Sequence, residues 1–204
     1  MSYDQPVQTV RPGYSHRFDV FSPKLGRALT LYSQNQVDLW ILLEVAPAVQ
    51  GFCEHPVHLH SAAGRQKLLV DFSVPRQDYD ELLLLVDTEP ETDAYRVPES
   101  ARLRYITRDA LAQHAAYIEN WRSMLPYVTT YRRWLKEVDL ARAVALCDQP
   151  TPLAALERAL SRDDPLWART VVFAALAKGQ LSAPSLMTRF WGNDLMVTRV
   201  KHGH

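Results

Sequence analysis

A run of five consecutive apolar residues at positions 82–86 constrains the fold of this chain more than any other feature. The run is too short for a helix, and it is long enough for a strand that is buried on both faces of a sheet. Segments at residues 57–60, 67–74 and 103–106 predict further strands around it. Helical segments alternate with these strands, so we predict an α/β fold built on a mixed sheet.

Capping signals mark the predicted helices of this part of the chain. A helix is predicted over residues 33–46, where Ser33 takes the N-cap position and Gln36, three residues later, completes a capping-box pattern. Thr107 is the predicted N-cap of a second helix that continues for about three turns. Pro126 is predicted to interrupt the helical stretch that follows.

The C-terminal part of the chain predicts a separate small module. Thr151 and Pro152 are predicted to open a helix, and a second helix is predicted to end at Gly179. A third short helix within residues 181–190 precedes a predicted strand at 195–200. This order indicates a helical or winged-helix module. We therefore divide the chain into an arm (1–26), an α/β domain (27–138) and this C-terminal domain (139–204).

Composition excludes several classes of protein. The 204 residues carry 23 basic and 23 acidic side chains, so net charge alone does not favour nucleic-acid binding. No apolar run approaches the roughly 18 residues that a membrane helix requires, and the N-terminus has no signal-like apolar core. The two cysteines, Cys53 and Cys147, lack metal-type spacing. A cytoplasmic protein with reduced thiols is the prediction.

Acidic and basic residues are concentrated in successive segments. Acids dominate residues 71–100 and bases dominate residues 101–142. This distribution fits a site where carboxylates hold a metal ion beside groups that meet phosphate, and it equally fits two solvated faces. Asp71 lies in a predicted strand, and Asp87 and Glu89 follow the apolar run with the period-2 spacing that places both on one face. A magnesium or manganese site is one hypothesis, and solvated acids are the other.

Two further groups of side chains allow a functional and a structural interpretation. His58 and His60 share one face of a predicted strand, with His55 nearby, which is compatible with zinc; ordinary strand histidines are the explanation we favour. Aromatic residues are interspersed with bases between residues 121 and 136. Stacking on nucleic-acid bases is one explanation for them, and an aromatic face packed on the core is the one we favour. They are Trp121, Tyr127, Tyr131 and Trp134, beside Arg122, Arg132, Arg133 and Lys136.

Several short elements, in order, resemble the TnsA endonuclease family of heteromeric transposases. The first is the stretch from Ser33 to Asp38 with the leucine-rich segment after it, which leads to Glu54-His55-Pro56. Val70-Asp71-Phe72 is similar to the family's Pro-Asp-Phe element, and Asp87-Thr88-Glu89-Pro90 to its later acid-x-Lys-Pro element. Tyr105-Ile106-Thr107 and Asn120 complete the pattern, which covers about residues 20–135.

The resemblance implies a fold of the restriction-endonuclease type with the PD-(D/E)xK kind of active site. It also implies an activity: metal-dependent nicking at the 5′ side of transposon ends, with Mg²⁺ or Mn²⁺ held by Asp71 and Asp87. The implied partners are transposon-end DNA, a TnsB-like transposase and a TnsC-like ATPase regulator that docks on the C-terminal domain. Arg122, Arg132, Arg133 and Lys136 are the candidate DNA-binding residues.

Two positions depart from the family pattern and place cleavage in question. Gln36 stands where the family has a glutamate, and Glu89 stands where it has a lysine. An amide oxygen can ligate a cation but supplies no negative charge, and Glu89 replaces a cation beside the attacking water with a carboxylate. The sequence therefore predicts either an impaired endonuclease that uses Gln36, Asp71, Asp87 and Glu89, or an inactive scaffold that binds DNA and partners. An unrelated interaction domain is the third hypothesis.

Overall fold

The apolar run lies in the longest strand of the central sheet. The computed structural model of the protein describes residues 3–7, 13, 15–62, 64, 67–90, 94–161 and 164–200, and its contacts form two compact units. The first unit comprises Met1–Leu43 and Val49–Gln113, and the second comprises Glu44–Ala48 and His114–His204. The predicted mixed α/β class is confirmed. None of the helices described is long and apolar enough to cross a membrane.

The first unit is mainly strands. They are β1 (Phe18–Ser22), β2 (Arg27–Leu31), β3 (Cys53–Glu54), β4 (His58–Ser61), β5 (Lys67–Leu69), β6 (Phe72–Pro75), β7 (Asp80–Val86), β8 (Tyr95–Arg96) and β9 (Ala101–Thr107), with helices α1 (Gln34–Val45) and α2 (Arg108–Ala112). The central sheet has the order β3-β6-β7-β9, in which β9 alone runs parallel to its neighbour. A second sheet has the order β5-β4-β8, and β1 pairs with β2.

Strand β7 is buried as its composition predicts. It lies between β6 and β9, and Leu82, Leu83 and Leu84 are each no more than 3% exposed. Such burial on both faces is what a strand with apolar residues at successive positions requires, because period-2 alternation sends them to opposite faces. The carboxyl ends of β7 and β9 therefore lie side by side, with Val86 opposite Thr107.

The strand predicted over residues 67–74 is wrong as a single element. The chain forms β5, leaves it at Val70, and enters β6 in the other sheet. Hydrogen-bond partners explain the change: the Val70 N–H donates to the Val57 carbonyl, whereas the Asp71 N–H donates to the Leu83 carbonyl. Asp71 thus stands at the point where the chain passes between sheets, a position that local alternation does not reveal.

The arm predicted over residues 1–26 contributes to a hairpin. It contains strand β1, which is followed by a turn at Gly26 and pairs with β2. Gly26 has a φ of 69°, a left-handed conformation that glycine adopts without steric cost.

The helix caps of the first unit follow the sequence, with one difference. The Ser33 Oγ accepts the Gln36 N–H at 3.1 Å, and the Thr107 Oγ1 accepts the Ala110 N–H at 3.2 Å, as N-caps do. The second helix, however, ends at Ala112, and a new helix begins at Ala115 in the second unit. His114 separates them with a φ of −106° and a ψ of 12°, outside the helical range.

The second unit is mainly helical. It contains α3 (Ala115–Tyr131), α4 (Glu137–Ala145), β10 (Thr151–Pro152), α5 (Leu153–Leu160), α6 (Pro165–Ala177), β11 (Leu181–Ser182), a 3₁₀ turn (Pro184–Met187) and β12 (Met196–Arg199). Helices α3, α4 and α5 all pack against α6, and a small sheet has the order β10-β12-β11. The predicted end of α6 at Gly179 is confirmed by its φ of 68°.

The predicted break at Pro126 is wrong. Pro126 lies inside α3 on its exposed side, and burial of Met124, Leu125 and Val128 outweighs the roughly 3 kcal/mol that an internal proline costs.

Two other helices of this unit are present with different bounds. The helix predicted to open at Thr151 and Pro152 begins at Leu153, because those two residues form β10 and pair with β12. The third short helix is a 3₁₀ helix of four residues, since Leu181 and Ser182 form β11 and pair with β12.

The predicted boundary after residue 138 differs from the observed division after Gln113. Helix α3 accounts for the difference: its buried face packs against α6, so it belongs with the C-terminal elements.

Candidate functional site

The Asp71 carboxylate is buried and accepts two hydrogen bonds. The residue is only 8% exposed and lies directly before β6. The Oδ1 atom accepts from the Gln36 Nε2 at 2.7 Å, and the Oδ2 atom accepts from the Leu85 N–H at 2.7 Å. Burial raises the pKa of the Asp71 carboxyl to about 6, and these two hydrogen bonds oppose that rise because they favour the charged form.

Gln36 joins helix α1 to this carboxylate. Its Oε1 accepts the Tyr32 N–H at 2.7 Å, so its Nε2 is the end that faces Asp71. Because one end of the amide must accept and the other must donate, the network determines its orientation. The predicted capping box is therefore altered: the Gln36 side chain accepts from Tyr32 instead of the Ser33 N–H. An amide N–H₂ group consequently faces the Asp71 carboxylate.

Asp87 and Glu89 lie on the surface beyond the end of β7. Both residues are exposed, and the Asp87 Oδ1 pairs with the Arg108 Nε at 2.8 Å. The side chains of this ion pair are 77% and 69% exposed, so water screens it and its contribution to stability is small. The structure brings Gln36 and Asp71 together, and leaves these two acids in solvent. Among the described residues, no three His, Cys, Asp or Glu side chains form a group that could hold a metal ion.

A buried ion pair supports the same end of the sheet, and sequence reasoning missed it. Arg27 of β2 donates from both Nη atoms to the two carboxylate oxygens of Glu54, each at 2.6 Å. Glu54 is only 4% exposed. No spacing rule connects two residues that lie 27 positions apart, so a bidentate pair of this kind has no signal in the sequence.

His55, which the sequence placed in the Glu54-His55-Pro56 element and near the strand histidines, is buried beside the Asp71 backbone. Its φ is 47°, its backbone N–H donates to the Asp71 carbonyl at 2.9 Å, and its ring stacks on Tyr32 with centroids 5.4 Å apart. Within the described part of the chain, its buried Nε2 has no hydrogen-bond partner. Burial lowers the pKa of His55, so the ring stays neutral at neutral pH. His55 is buried, whereas His58 and His60 are exposed on β4.

The predicted DNA-binding residues occupy different environments in the second unit. Arg122 pairs with Glu119 at 3.0 Å, and the Arg132 Nη1 donates to the Thr129 carbonyl at 2.8 Å. Arg133 and Lys136 are exposed, in the segment between α3 and α4. Among the contacts of the described residues, neither of these two side chains forms an ion pair. They are therefore the cations of this group that are available to meet phosphate.

The aromatic residues of this stretch do not share one role. Trp121 is 1% exposed and belongs to the core, as the structural interpretation predicts. Trp134 is 61% exposed, so that interpretation is wrong for this residue. Phe190, a further aromatic residue of the second unit, is also exposed. Helical periodicity failed at Trp134 because α3 ends at Tyr131, three residues before it.

Asn120 holds the loop that precedes β12. It is fully buried, and its Nδ2 donates to the carbonyls of Leu186 and Arg189, each at 2.8 Å. Its Oδ1 accepts the Trp191 N–H at 2.9 Å. One amide side chain thus binds three backbone groups of residues 186–191. Without it, the buried Leu186 carbonyl and two partly buried groups, the Arg189 carbonyl and the Trp191 N–H, would lose these hydrogen bonds.

Replacing Asn120 with alanine is expected to lower the free energy of unfolding by about 2 kcal/mol, because one buried and two partly buried backbone groups lose the partner that this buried amide supplies. Urea denaturation followed by circular dichroism measures this change. Ser123→Ala is the matched control: it removes the exposed hydrogen bond from the Trp191 Nε1 and the hydrogen bond from the Ser123 Oγ to the Asn120 carbonyl, but leaves the Asn120 side chain in place. It should cost less than about 1 kcal/mol. Equal losses in the two variants would contradict the anchoring role of Asn120.

Comparison with models of known protein families and with curated proteins finds no match to this chain. The site is therefore interpreted from its own geometry.

Proposed function

We propose that this chain is a TnsA-like subunit of a heteromeric transposase that acts as a scaffold for DNA and partner proteins and does not cut DNA. The observation that carries the proposal is the hydrogen bond from the Gln36 Nε2 to the Asp71 Oδ1. In a metal-dependent nuclease, carboxylates converge on divalent cations that activate water and stabilise the leaving group. Here a neutral amide occupies the corresponding side of the central carboxylate.

The strand order of the first unit supports a nuclease-type ancestry for the fold. Helix α1 precedes three antiparallel strands, β3, β6 and β7, and β9 then adds to β7 in parallel. A restriction-endonuclease-like sheet, as the sequence resemblance implies, has this mixture of antiparallel and parallel pairing. The candidate residues Asp71 and Asp87 adjoin β6 and β7, the two central strands.

The environment of the acids supports a scaffold in preference to an enzyme. Both oxygens of Asp71 already accept hydrogen bonds, from Gln36 and Leu85. Asp87 is paired with Arg108, and a cation would have to displace that arginine. Glu89 is exposed and follows β7 by three residues. The buried amide–carboxylate contact satisfies the hydrogen-bonding needs of Asp71 without a metal ion, because it supplies a donor where a cation would supply positive charge.

The second unit supports the partner-binding part of the proposal. Its order of α4, β10, α5, α6, β11 and β12, with β12 between β10 and β11, is the order expected of a winged helix. Helix α6 takes the place of the helix that reads a DNA groove in such modules. Val171, Val172 and Phe173 of α6 are at most 1% exposed, so it forms the core of the unit instead. We therefore assign the module to docking on the transposase or its ATPase regulator.

Nicking at the 5′ side of transposon ends is the second candidate function. One observation favours it: the Asp71 carboxylate lies near the end of β7 that leads to Asp87. The Asp71 Oδ2 is 2.7 Å from the Leu85 nitrogen, and Leu85 is two residues before Asp87. A rotation of the exposed Asp87 side chain away from Arg108 would bring a second carboxylate towards Asp71. In this candidate, Asp71 and Asp87 hold Mg²⁺ or Mn²⁺, and Gln36 and Glu89 complete the site.

A strand-nicking assay separates the two candidates. The purified chain is combined with the transposase encoded beside it, DNA that carries the ends of the element, and Mg²⁺ or Mn²⁺. Asp71→Ala and Asp87→Asn serve as controls. Asp87→Asn is the sharper one, because an exposed side chain can be replaced without loss of folding.

We expect no 5′ nicks above the level of these two variants, and a complex of chain, transposase and DNA that survives gel filtration. Nicks that Asp87→Asn abolishes would establish the enzyme and refute the scaffold. If neither nicks nor a complex formed, the assignment to a transposase would fail.

A further inference from the structure

Trp134 is presented to solvent at the junction of α3 and α4. Its 61% exposure is unusual for tryptophan, whose large apolar surface is normally removed from water. The residue lies in a short connection, where it follows the end of α3 at Tyr131 and precedes Glu137, the first residue of α4. A tryptophan kept in water at such a connection is a candidate for binding, because exposed aromatic residues carry much of the energy of interfaces.

The ring of Trp134 packs edge-on against the ring of Tyr131, which packs in the same way against Trp167. The backbone N–H of Trp134 donates to the Tyr131 carbonyl at 2.9 Å, and its ring lies against that of Tyr131 with centroids 6.1 Å apart. Tyr131 in turn contacts Trp167 of α6 at the same centroid distance. The exposed ring is therefore anchored to the helical core through two edge-on contacts. Such support reduces the side-chain entropy that binding would otherwise cost.

The charged residues that flank Trp134 in the chain are basic, and the carboxylate of Asp164, which lies at the same ring cluster, accepts from the Tyr131 hydroxyl at 3.4 Å. Arg133 and Lys136 are exposed, and among the described contacts neither is neutralised by an acid. The nearest following acid, Glu137, is paired with Lys178. Basic side chains on both sides of a supported aromatic ring form the combination that binds single-stranded nucleic acid: the ring stacks on a base and the cations contact the backbone phosphates.

We propose that Trp134 is a stacking platform for an unpaired base of single-stranded DNA, with Arg133 and Lys136 as its phosphate contacts. A duplex offers no equivalent ligand, since its bases are covered by their neighbours. A protein partner is disfavoured, because an apolar side chain that it placed on Trp134 would lie beside Arg133 and Lys136, neither of which is paired with an acid among the described contacts. The binding itself follows from this surface, and its use on unpaired DNA at transposon ends rests on the proposed function.

Binding of a fluorescent oligothymidylate of about 12 nucleotides tests the proposal, with a duplex of the same length for comparison. Fluorescence anisotropy at low salt measures the affinity of the full chain. Trp134→Leu keeps an apolar side chain without a π face, and should weaken binding of the single strand about 5- to 150-fold. Trp134→Phe should retain most of the affinity. Phe190→Leu is the matched control, because Phe190 is an exposed aromatic residue of the same unit without flanking free cations, and its loss should change nothing.

The cations are tested by salt dependence. Arg133→Ala with Lys136→Ala should lower the slope of log affinity against log salt concentration by about 1.4, since each phosphate contact on a single strand contributes about 0.7. Thermal melting checks that each variant is folded, and exposed positions should leave the melting temperature unchanged.

Two outcomes would overturn the proposal. One is equal binding of single strand and duplex with no effect of Trp134→Leu, which would leave only a basic surface. The other is no binding of DNA together with loss of the transposase complex in Trp134→Leu, which would make this a protein-docking surface. Failure of the nicking and complex assays leaves oligothymidylate binding unaffected, so the two proposals fail independently.

Discussion

Gln36→Glu is expected to lower the free energy of unfolding by about 2 to 4 kcal/mol at neutral pH in the presence of a chelator. The substitution removes the N–H that donates to the Asp71 Oδ1 at 2.7 Å and places a second carboxylate there. The Asp71 pKa is already raised to about 6 by burial, and a neighbouring negative charge would raise it further. Urea denaturation in buffer that contains EDTA measures the loss.

Divalent cations should reverse this loss. Two buried carboxylates that face each other form the kind of oxygen site that Mn²⁺ or Mg²⁺ binds. A cation at about 100 times its dissociation constant would restore about 2.7 kcal/mol. Acidification through pH 6 should also restore part of the stability, because one proton shared by the pair removes the repulsion. Wild-type protein should gain nothing from the cation.

The control for this experiment is the double variant Gln36→Glu with Asp71→Asn. It keeps the new carboxylate and removes the original one, so the cation-dependent gain should disappear. An equal gain in the wild-type protein would mean that Gln36 already ligates a cation through its amide oxygen. In that case the amide would not replace the metal ion, and the observation that supports the scaffold would be lost.

Arg27→Ala is expected to have a comparable effect, a loss of about 2 to 4 kcal/mol in the free energy of unfolding. The substitution leaves Glu54, which is 4% exposed, without the two 2.6 Å hydrogen bonds that compensate its charge. The value lies below that for a fully buried pair, because the Arg27 side chain is 36% exposed. Urea denaturation followed by circular dichroism gives the measurement.

The neighbouring strand provides a matched control for Arg27. Arg17 and Asp19 form an ion pair at 3.1 Å whose side chains are both 58% exposed, so Arg17→Ala should leave the free energy of unfolding almost unchanged. The double variant Arg27→Met with Glu54→Leu should recover most of the stability, because apolar side chains of similar volume leave no unpaired charge. If Arg27→Ala were as mild as Arg17→Ala, Glu54 would have to find another partner.

Local signals were enough to predict β7, α1 and the end of α6. They are the run of five apolar residues for β7, the capping pattern at Ser33 for α1 and Gly179 for α6, and each acts over a few positions of chain. The same holds for the caps at Ser33 and Thr107, where the side chain binds a backbone N–H three residues away. Local rules failed at Pro126 and at Thr151–Pro152, where packing and strand pairing outweigh propensity.

The chemical state of the candidate site depended on contacts between distant residues. The sequence singled out Asp71 and Gln36 through the family resemblance, but their separation of 35 positions carries no information about which atom of the amide faces the carboxylate. That orientation follows from the Tyr32 N–H, which donates to the amide oxygen of Gln36. The exposure of Trp134 was likewise invisible to helical periodicity, since it depends on where α3 ends.

The sequence by itself therefore determined the α/β class, most of the helices and the residues worth testing, because periodicity and capping act over a few positions. Only the tertiary structure decided that the two central strands bury Asp71, that Gln36 donates to it, and that Asp87 and Glu89 remain in water. The physical reason is that burial and hydrogen-bond partnership are set by which distant segments pack together. They also set the charge of a carboxyl group, since desolvation and donors shift its pKa in opposite directions.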